Sequence, residues 1–403
     1  MNFLRQKIYR YSSNFFSSLF ISRNNINNKT KIFLKKNFKF NNILHINMAR
    51  IGLYLILKML VYKNKKIILM SPFTIFDIIN KILSAGAVPK FVDTYKYQPH
   101  ISLTEIKKNY DKNVIAILVT HYHSCHPEID KIRNFCNKKK IYLIEDCAIS
   151  LGGRFKKNYI GHHGDFSIFS FGLYKFISTP LGGLIKTKSK KNFLRLSKNF
   201  NKEKINFFLL SFFFMKGLSI KFILNNNIFK WLVKKIIKIG IIFNLKVIDN
   251  IINNDPNPKK IIKNPIYLNT LPSKFQLLQV YNQLSYLEKD REIRGKNAFL
   301  YGIKIKNKKI IKPTINYKYD PIIHYPIICN KKNQLYKKLI RKNFDISNYY
   351  YRNCSEIKDF KMFKSKKKLQ NINFYSKNVL CLPVYPGIDN EYIKKLSDEI
   401  NRF

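Results

Sequence analysis

The chain has 403 residues and a formal net charge of +52, from 75 Lys and Arg against 23 Asp and Glu. Hydrophobic residues make up 46% of the sequence, which excludes a chain that is disordered throughout, and the length predicts two domains. So basic a chain suggests nucleic acid or an anionic membrane as a partner. The charge is spread along most of the chain and accompanies many Asn, Ile, Phe and Tyr residues, whose codons, like those of Lys, are A/T-rich. Codon bias explains this pattern, so we predict no nucleic-acid partner.

The cysteines and histidines favour a reduced protein without a metal site. Six cysteines form no CxxC pair and no disulfide-rich pattern, as expected of a cytoplasmic protein. The stretch HYHSCH at 121–126 could supply zinc ligands, but no second ligand cluster is visible elsewhere. We predict a loop at a strand end here, and no metal.

Residues 1–44 form a basic arm that contains no acidic residue. Organelle transit peptides share this pattern, but Lys and Asn outnumber Arg here, and there is no apolar core of a secretory signal. We predict a poorly packed N-terminal arm.

From residue 45 the pattern alternates between helices and strands. Helical periodicity appears at 48–60, 75–85 and 129–139, and short apolar runs predict strands at 66–70, 88–92, 114–120, 141–144 and 166–171. This alternation predicts an α/β large domain at 45–295 with a mostly parallel sheet and ligands at the strand carboxyl ends. The helix start at Ala49 and Arg50 could present backbone N–H groups and a guanidinium to a phosphate.

The segment 141–187 contains the residues that a pyridoxal phosphate (PLP) site requires. Its first strand ends in Glu145 and Asp146, its second strand carries Ser170, and Lys175 follows in a small-residue run. In a PLP site the lysine forms a Schiff base, a carboxylate pairs with the pyridinium nitrogen, and a hydroxyl holds the phosphate. The alternative is a lysine that reaches solvent from a loop and an acid that caps a strand end.

Residues 191–264 predict a helical insertion. Positions 205–215 form an apolar run of 11 residues, too short for the roughly 20 that span a bilayer. A following segment has apolar residues on one helical face and lysines mostly on the other, with the apolar face made of Phe229, Leu232, Val233, Ile236 and Ile237. Either these helices pack on their own domain, or 205–246 lies on an anionic membrane surface.

The last part of the chain predicts a small α+β domain at 296–403. A long helix at 273–294 would join it to the large domain. Strands are predicted at 322–328 and 379–382, and helices at 334–342 and 390–402.

Four separated stretches resemble the DegT/StrS family of PLP-dependent sugar aminotransferases. The stretch EDCAISLGGRFKKNYIGHHGDFSIFSF, followed by Lys175, is similar to the family pattern EDxAxxxGxxYxGxxxGxxGDxxxFSFxxxK. SPFTIFDIINKILSAGAVPKFVD upstream and YLNTLPSKFQLLQVYNQL and LPVYPGIDNEYIKKLSDEI downstream also match in order. The resemblance implies a fold-type-I PLP-dependent transferase. Such proteins have a large domain with a mostly parallel seven-stranded sheet sandwiched by helices, and a small C-terminal α+β domain.

The resemblance also implies roles for individual residues. Lys175 corresponds to the lysine that binds the cofactor and then shuttles a proton. Asp146 corresponds to the acid at the pyridine nitrogen, and Ser170 to a phosphate ligand. The pair Ala49 and Arg50 occupies the place of the family's phosphate turn.

Asn269 resembles an Asn that reaches the phosphate of the neighbouring subunit, which implies a homodimer. Three positions depart from the family pattern. Ile149 stands where Gln or His packs near the ring, Ile75 where an aromatic residue often stacks on it, and Leu271 where Arg is usual.

The function implied by the resemblance is transfer of an amino group, from L-glutamate, to a nucleotide-linked keto-sugar. Such a reaction belongs to the biosynthesis of amino sugars, polysaccharides or glycosylated metabolites. The expected partners are these small molecules and a second subunit, and the expected location is the cytoplasm, with possible membrane association through 205–246. The alternative is a degenerate PLP-binding or membrane-associated relative without catalysis.

Overall fold

The computed structural model describes residues 18, 20–61, 65–200, 203, 205–242, 260–262, 269–348, 351–366 and 368–403. The α-helices are α1 Arg23–Phe38, α2 Ala49–Leu60, α3 Phe76–Ser84, α4 Leu103–Asn109, α5 Ile129–Lys139, α6 Lys190–Lys198, α7 Phe207–Asn225, α8 Asn227–Ile242, α9 Lys274–Leu284, α10 Leu287–Lys304, α11 Lys332–Arg341, α12 Gln370–Asn378 and α13 Asn390–Asn401. The strands are β1 Ile43–Ile46, β2 Ile67–Met70, β3 Phe73–Thr74, β4 Val88–Phe91, β5 Val114–Thr120, β6 Tyr142–Asp146, β7 Arg154–Phe155, β8 Asn158–Tyr159, β9 Phe166–Ser170, β10 Gly183–Thr187, β11 His324–Ile328, β12 Ser347–Asn348, β13 Arg352–Asn353 and β14 Val379–Pro383.

A seven-stranded sheet in the order β1-β10-β9-β6-β5-β2-β4 forms the centre of the large domain. The five strands β9, β6, β5, β2 and β4 run parallel to one another, and β10 runs antiparallel to both of its neighbours, β9 and β1. The fold is therefore α/β with a mostly parallel sheet, as predicted.

Both faces of this sheet are covered, which explains why β5 is buried at every position. Leu118 of β5 belongs to a core that includes Ile56 of α2, whereas its neighbour Ile117 belongs to a second core with Ile132 of α5. Because successive side chains of a strand point to opposite faces, helices on both sides are needed to bury them. The prediction of a sheet sandwiched by helices is confirmed.

The expectation of a poorly packed arm is wrong for the part of 1–44 that follows residue 22. Ser22 caps α1 by accepting a hydrogen bond from the backbone N–H of Asn25. Leu34 and Phe38 on one face of the helix are buried in the main core. Lysines alternate with these apolar residues at helical spacing, so the basic composition concealed an amphipathic helix.

The described part of the predicted insertion 191–264 is largely helical, as expected, and contains most of α6 and the helices α7 and α8. Ile205 and Leu210 anchor the start of α7 in the main core, and the backbone of Leu271 hydrogen-bonds to that of Glu203 and Ile205. Among the described residues, no helix combines the length and the apolarity that crossing a bilayer requires.

The C-terminal part has a core of its own. Tyr325 of β11, Leu382 of β14 and Leu396 of α13 pack there with Tyr301 near the end of α10. The single helix predicted at 273–294 is wrong, since α9 ends at Leu284 and α10 begins at Leu287. After this break, α10 contributes Ala298 and Tyr301 to the second core.

Candidate active site

The carboxyl ends of the central strands bring the candidate residues to one edge of the sheet. Asp146 is the last residue of β6, and Thr120, the last residue of β5, is its partner in the parallel register. Ser170 ends β9 on the other side of β6, and its hydroxyl accepts a hydrogen bond from the amide of Gly172 at 3.4 Å. Ligands of open α/β sheets bind at this edge.

Asp146 is a buried carboxylate at the end of β6. Burial raises the pKa of Asp146, against the lowering effects of the Ala148 amide, which donates to Oδ1 at 3.0 Å, and of the Lys175 charge. A buried carboxylate whose pKa is raised is stabilised by any cation that comes to it. A protonated pyridine nitrogen would be such a cation.

Lys175 lies on the loop that joins β9 to β10. Burial lowers the pKa of Lys175 to about 8, the nearby charge of Asp146 opposes this shift, and the charge of Arg50 adds to it. The ordinary lysine value is 10.5. The loop therefore supplies a lysine that is partly neutral near pH 8, which is the form that attacks an aldehyde.

Two glutamines of α9 fix the backbone of the lysine loop. Gln283 accepts from the Ser178 amide at 2.9 Å and donates to the Ser178 carbonyl at 2.8 Å. Gln276 donates to the Leu181 carbonyl at 2.7 Å and to Asn47 Oδ1 at 3.0 Å. These glutamines were not predicted as site residues, although both lie in the stretch YLNTLPSKFQLLQVYNQL that carries the resemblance.

The predicted phosphate turn is the N-terminus of α2. The helix begins at Ala49 as expected, and no side chain caps it. Its first amides are thus available to an anion, and Gly183 lets β10 pass close beside them, since a Cβ at Gly183 would lie 2.9 Å from the Ala49 nitrogen. Arg50 pairs with the carboxylate of Asp77 instead of standing free.

Asn269 lies near this turn within the same chain. Its neighbour Thr270 accepts two hydrogen bonds from the amide of Asn47, two residues before Ala49, at 2.8 and 2.9 Å. The Oδ1 atom of Asn269 is buried and has no hydrogen-bond partner among the described residues. A buried carbonyl oxygen in this position is suited to a donor that comes from outside the chain.

The two departures near the expected ring position are apolar and well packed. Ile149 is buried in the main core, and Ile75 is half-buried immediately before α3. Both would contact a ring through dispersion alone, without a hydrogen bond or an aromatic stack.

Glu145, the residue before Asp146, has a structural role. It accepts hydrogen bonds from His121 Nε2 at 2.9 Å, from the Gly161 amide at 3.0 Å and from the Gly164 amide. Burial favours its neutral form, but the bond from His121, the neighbouring His163 and the Gly164 amide lower the pKa of Glu145 to about 2. Successive strand residues point to opposite faces, so Asp146 faces the site and Glu145 secures the loop 161–164.

The stretch 121–126 is the strand-end loop that we predicted. His121 Nδ1 accepts from the His126 amide at 3.1 Å, so its Nε2 carries the proton that is donated to Glu145. Ligand atoms of His121, Glu145 and Cys147 lie within 4.8 Å of one another. Because His121 and Glu145 already bond each other, a metal there would have to break that pair.

The described side chains fit PLP. A buried carboxylate with a raised pKa suits the pyridinium nitrogen, a lysine of lowered pKa suits the aldehyde, and an uncapped helix N-terminus suits the phosphate. The hydroxyl of Ser170, at the end of β9, would supply a further donor to the phosphate.

The sequence matches a model of the "DegT/DnrJ/EryC1/StrS aminotransferase family" over residues 34–198 and 273–401. This family is PLP-dependent, in agreement with the side chains of the site. The helices α7 and α8 fall between the two matched segments.

Curated relatives and solved structures point the same way. A UDP-4-amino-4,6-dideoxy-N-acetyl-beta-L-altrosamine transaminase of Campylobacter jejuni is 25% identical over 359 residues, which are 88% of this chain and 83% of that protein. A GDP-perosamine synthase of Vibrio cholerae is 30% identical over 122 residues, 30% of this chain and 33% of the synthase. Over a third of its length, the chain also matches an uncharacterized protein of Methanocaldococcus jannaschii, and this protein and two GDP-perosamine synthases are covered over only 33% to 40% of their own length.

In structure, the chain is similar to Helicobacter pylori PseC, an "aminotransferase involved in the biosynthesis of pseudoaminic acid". The TM-score is 0.75 at 14% identity, and the superposition covers all of this chain and 97% of PseC. At that identity the similarity establishes the fold.

Proposed function

Because the chain belongs to the DegT/DnrJ/EryC1/StrS aminotransferase family, we propose that it is a PLP-dependent aminotransferase acting on a nucleotide-linked keto-sugar. L-Glutamate is the proposed amino donor. The observation that carries this proposal is the placement of Asp146 and Lys175 at one edge of the sheet, each shifting the other's pKa. The relatives support the substrate class, since their names include a UDP-sugar transaminase and GDP-perosamine synthases.

Each of the chain's own groups has a defined task in this reaction. Bound PLP supplies an electron sink for the carbon that loses its proton. The Asp146 carboxylate keeps a proton on the pyridine nitrogen, and Lys175 Nζ takes a proton from one carbon and delivers it to another. The N-terminus of α2 and Ser170 hold the phosphate, so the ring stays in register with Lys175.

A homodimer in the cytoplasm is part of the same proposal. The buried, unpartnered oxygen of Asn269 next to the proposed phosphate turn supports a contact completed by a second subunit. The six cysteines are free thiols, which supports a reducing compartment. We further propose that 45–295 is the PLP-binding domain and 296–403 the small domain.

The proposal includes peripheral contact with an anionic membrane through 205–246. Among the described residues, 11 of 21 exposed large apolar side chains lie between positions 207 and 239, namely Phe207, Phe208, Phe212, Met215, Phe222, Ile228, Phe229, Trp231, Leu232, Ile236 and Ile239. Residues 205–246 also contain seven lysines and no acidic residue. A second copy of this surface would bring lysines against lysines, whereas anionic lipid complements them.

Cosedimentation with vesicles tests this contact. The double variant Phe208→Ser, Trp231→Ser should lose binding to phosphatidylserine vesicles, since both side chains are exposed on the helix pair. Met362→Ser removes an apolar side chain that is 74% exposed elsewhere and serves as the control. Equal binding by wild type and the double variant would refute the membrane contact. Loss of dimerisation in the double variant would instead identify the surface as an interface between subunits.

The absorbance of the purified protein tests the catalytic proposal. We expect a visible band from lysine-bound PLP, loss of this band in Lys175→Ala, and bleaching of the band by L-glutamate. Absence of the band in the wild type would refute the proposed PLP-dependent activity. A band that no amino donor bleaches would favour the second candidate, a PLP-binding protein without catalysis, for which the apolar Ile75 and Ile149 are the motivation.

A further inference from the structure

The insertion helix α7 contacts the lysine loop directly. Leu173 and Tyr174, the two residues before Lys175, pack in one apolar cluster with Phe214, Leu218 and Ile220 of α7. Helix α7 lies outside the two segments that match the family. This chain therefore supports the residues before its candidate catalytic lysine with a helix that the family match does not include.

Tyr174 shows why this support matters. Its φ of 68° lies in the left-handed region, which a residue with a side chain adopts at a cost. Such a conformation persists where surrounding packing holds it. The Lys175 amide then donates to the Gly172 carbonyl at 3.2 Å, which closes the turn that directs Lys175.

Helix α7 is also attached to α9. The ring of Phe214 packs edge-on against Phe275 of α9, with centroids 4.9 Å apart. Helix α9 also carries Gln283, which binds the backbone of Ser178. The lysine loop is thus held by α7 before Lys175 and by α9 after it.

We propose that α7 is a positioning element for Lys175 and that Leu218 and Tyr174 are positioning residues for the proposed transamination. The packing of Leu218 and its neighbours on Tyr174 keeps the turn in its left-handed form. The left-handed form keeps the Lys175 amine close enough to Asp146 for the carboxylate charge to oppose the effect of burial on the amine. Loosening the packing changes both the burial of Lys175 and its separation from Asp146.

Leu218→Ala and the matched control Phe208→Ala test this. Both remove a large apolar side chain from α7, but Leu218 lies in the cluster with Tyr174, whereas Phe208 is 80% exposed. In apo protein, the pH midpoint for acetylation of Lys175, followed by peptide mass spectrometry, should move by about half a pH unit or more in Leu218→Ala. Phe208→Ala should keep the wild-type midpoint, and thermal unfolding should confirm that both variants fold.

Two variants of Tyr174 extend the test. Tyr174→Ala loses the packing and keeps the strain, whereas glycine adopts a positive φ freely. Tyr174→Gly should therefore bind PLP more tightly than Tyr174→Ala, by about threefold or more, because it restores the turn. Equal affinity, or a wild-type acetylation midpoint in Leu218→Ala, would overturn the inference.

The positioning role of α7 rests on the proposed function, but the two are refuted by different measurements. A wild-type protein without a visible PLP band would refute the aminotransferase. The acetylation of Lys175 in apo protein needs no cofactor and would still decide whether α7 positions the lysine.

Discussion

Asp146 and Lys175 act on each other's pKa in opposite directions across the end of the sheet. The carboxylate raises the pKa of the lysine, and the ammonium lowers the pKa of the carboxylate. Burial disfavours both charged forms, whereas each group stabilises the ionised form of its partner. In a complex with PLP, Asp146 would pair with the pyridinium nitrogen and Lys175 would react with the aldehyde.

Lys175 should react as a neutral amine at lower pH than an exposed lysine. Its lowered pKa predicts that acetylation in apo protein reaches half of its maximum near pH 8. The exposed Lys191, in the same digest, is the internal comparison. A Lys175 midpoint near the ordinary value of 10.5 would contradict the burial of this amine.

Replacement of Asp146 by Asn should move the Lys175 midpoint below about 8, because it removes the charge that raises the lysine pKa. The variant should also bind PLP at least about tenfold more weakly, because the pyridinium loses its counter-charge. Acetylation titration and spectroscopic titration with PLP measure the two effects. Glu145→Gln is the neighbouring control and should leave the Lys175 midpoint unchanged.

Glu145→Gln should instead destabilise the fold, by about 3 kcal/mol, since the amide keeps one acceptor oxygen for the three buried donors of His121, Gly161 and Gly164. Because the folded pKa is depressed from 4.5 to about 2, this carboxylate stabilises the wild type above pH 4.5. That stability is lost as the pH falls from 4.5 toward 2. Urea unfolding across this pH range should show a weaker pH dependence in the variant. Parallel curves for both proteins would count against the assignment.

Gln283→Leu should leave the buried amide and carbonyl of Ser178 unpaired. We expect a loss of stability of about 1–3 kcal/mol for each group and weaker PLP binding, because the lysine loop loses its attachment to α9. Gln334→Leu, at an exposed position of α11, is the control for the substitution itself. Unfolding curves and PLP titrations that coincide for the two variants would show that the loop does not depend on Gln283.

Local pattern allowed much of the fold to be predicted. Strand β5 and helix α5 were predicted with the bounds that the structure has, because β5 is an uninterrupted apolar run and α5 repeats its apolar residues at helical spacing. Helix α1 was missed because Asn and Lys make up nine of its 16 residues, and the break between α9 and α10 was missed because Ser285 and Tyr286 are compatible with a helix.

The sequence by itself determined which chemical groups the site contains, because Asp146, Ser170 and Lys175 keep a fixed spacing in one segment of the chain. Tertiary structure alone decided how those groups are held. Gln283 lies 108 positions after Lys175 and Leu218 lies 43 positions after it, and no local period relates them to the loop. Their roles arise from packing between helices and loop, which depends on contacts between residues distant in the chain.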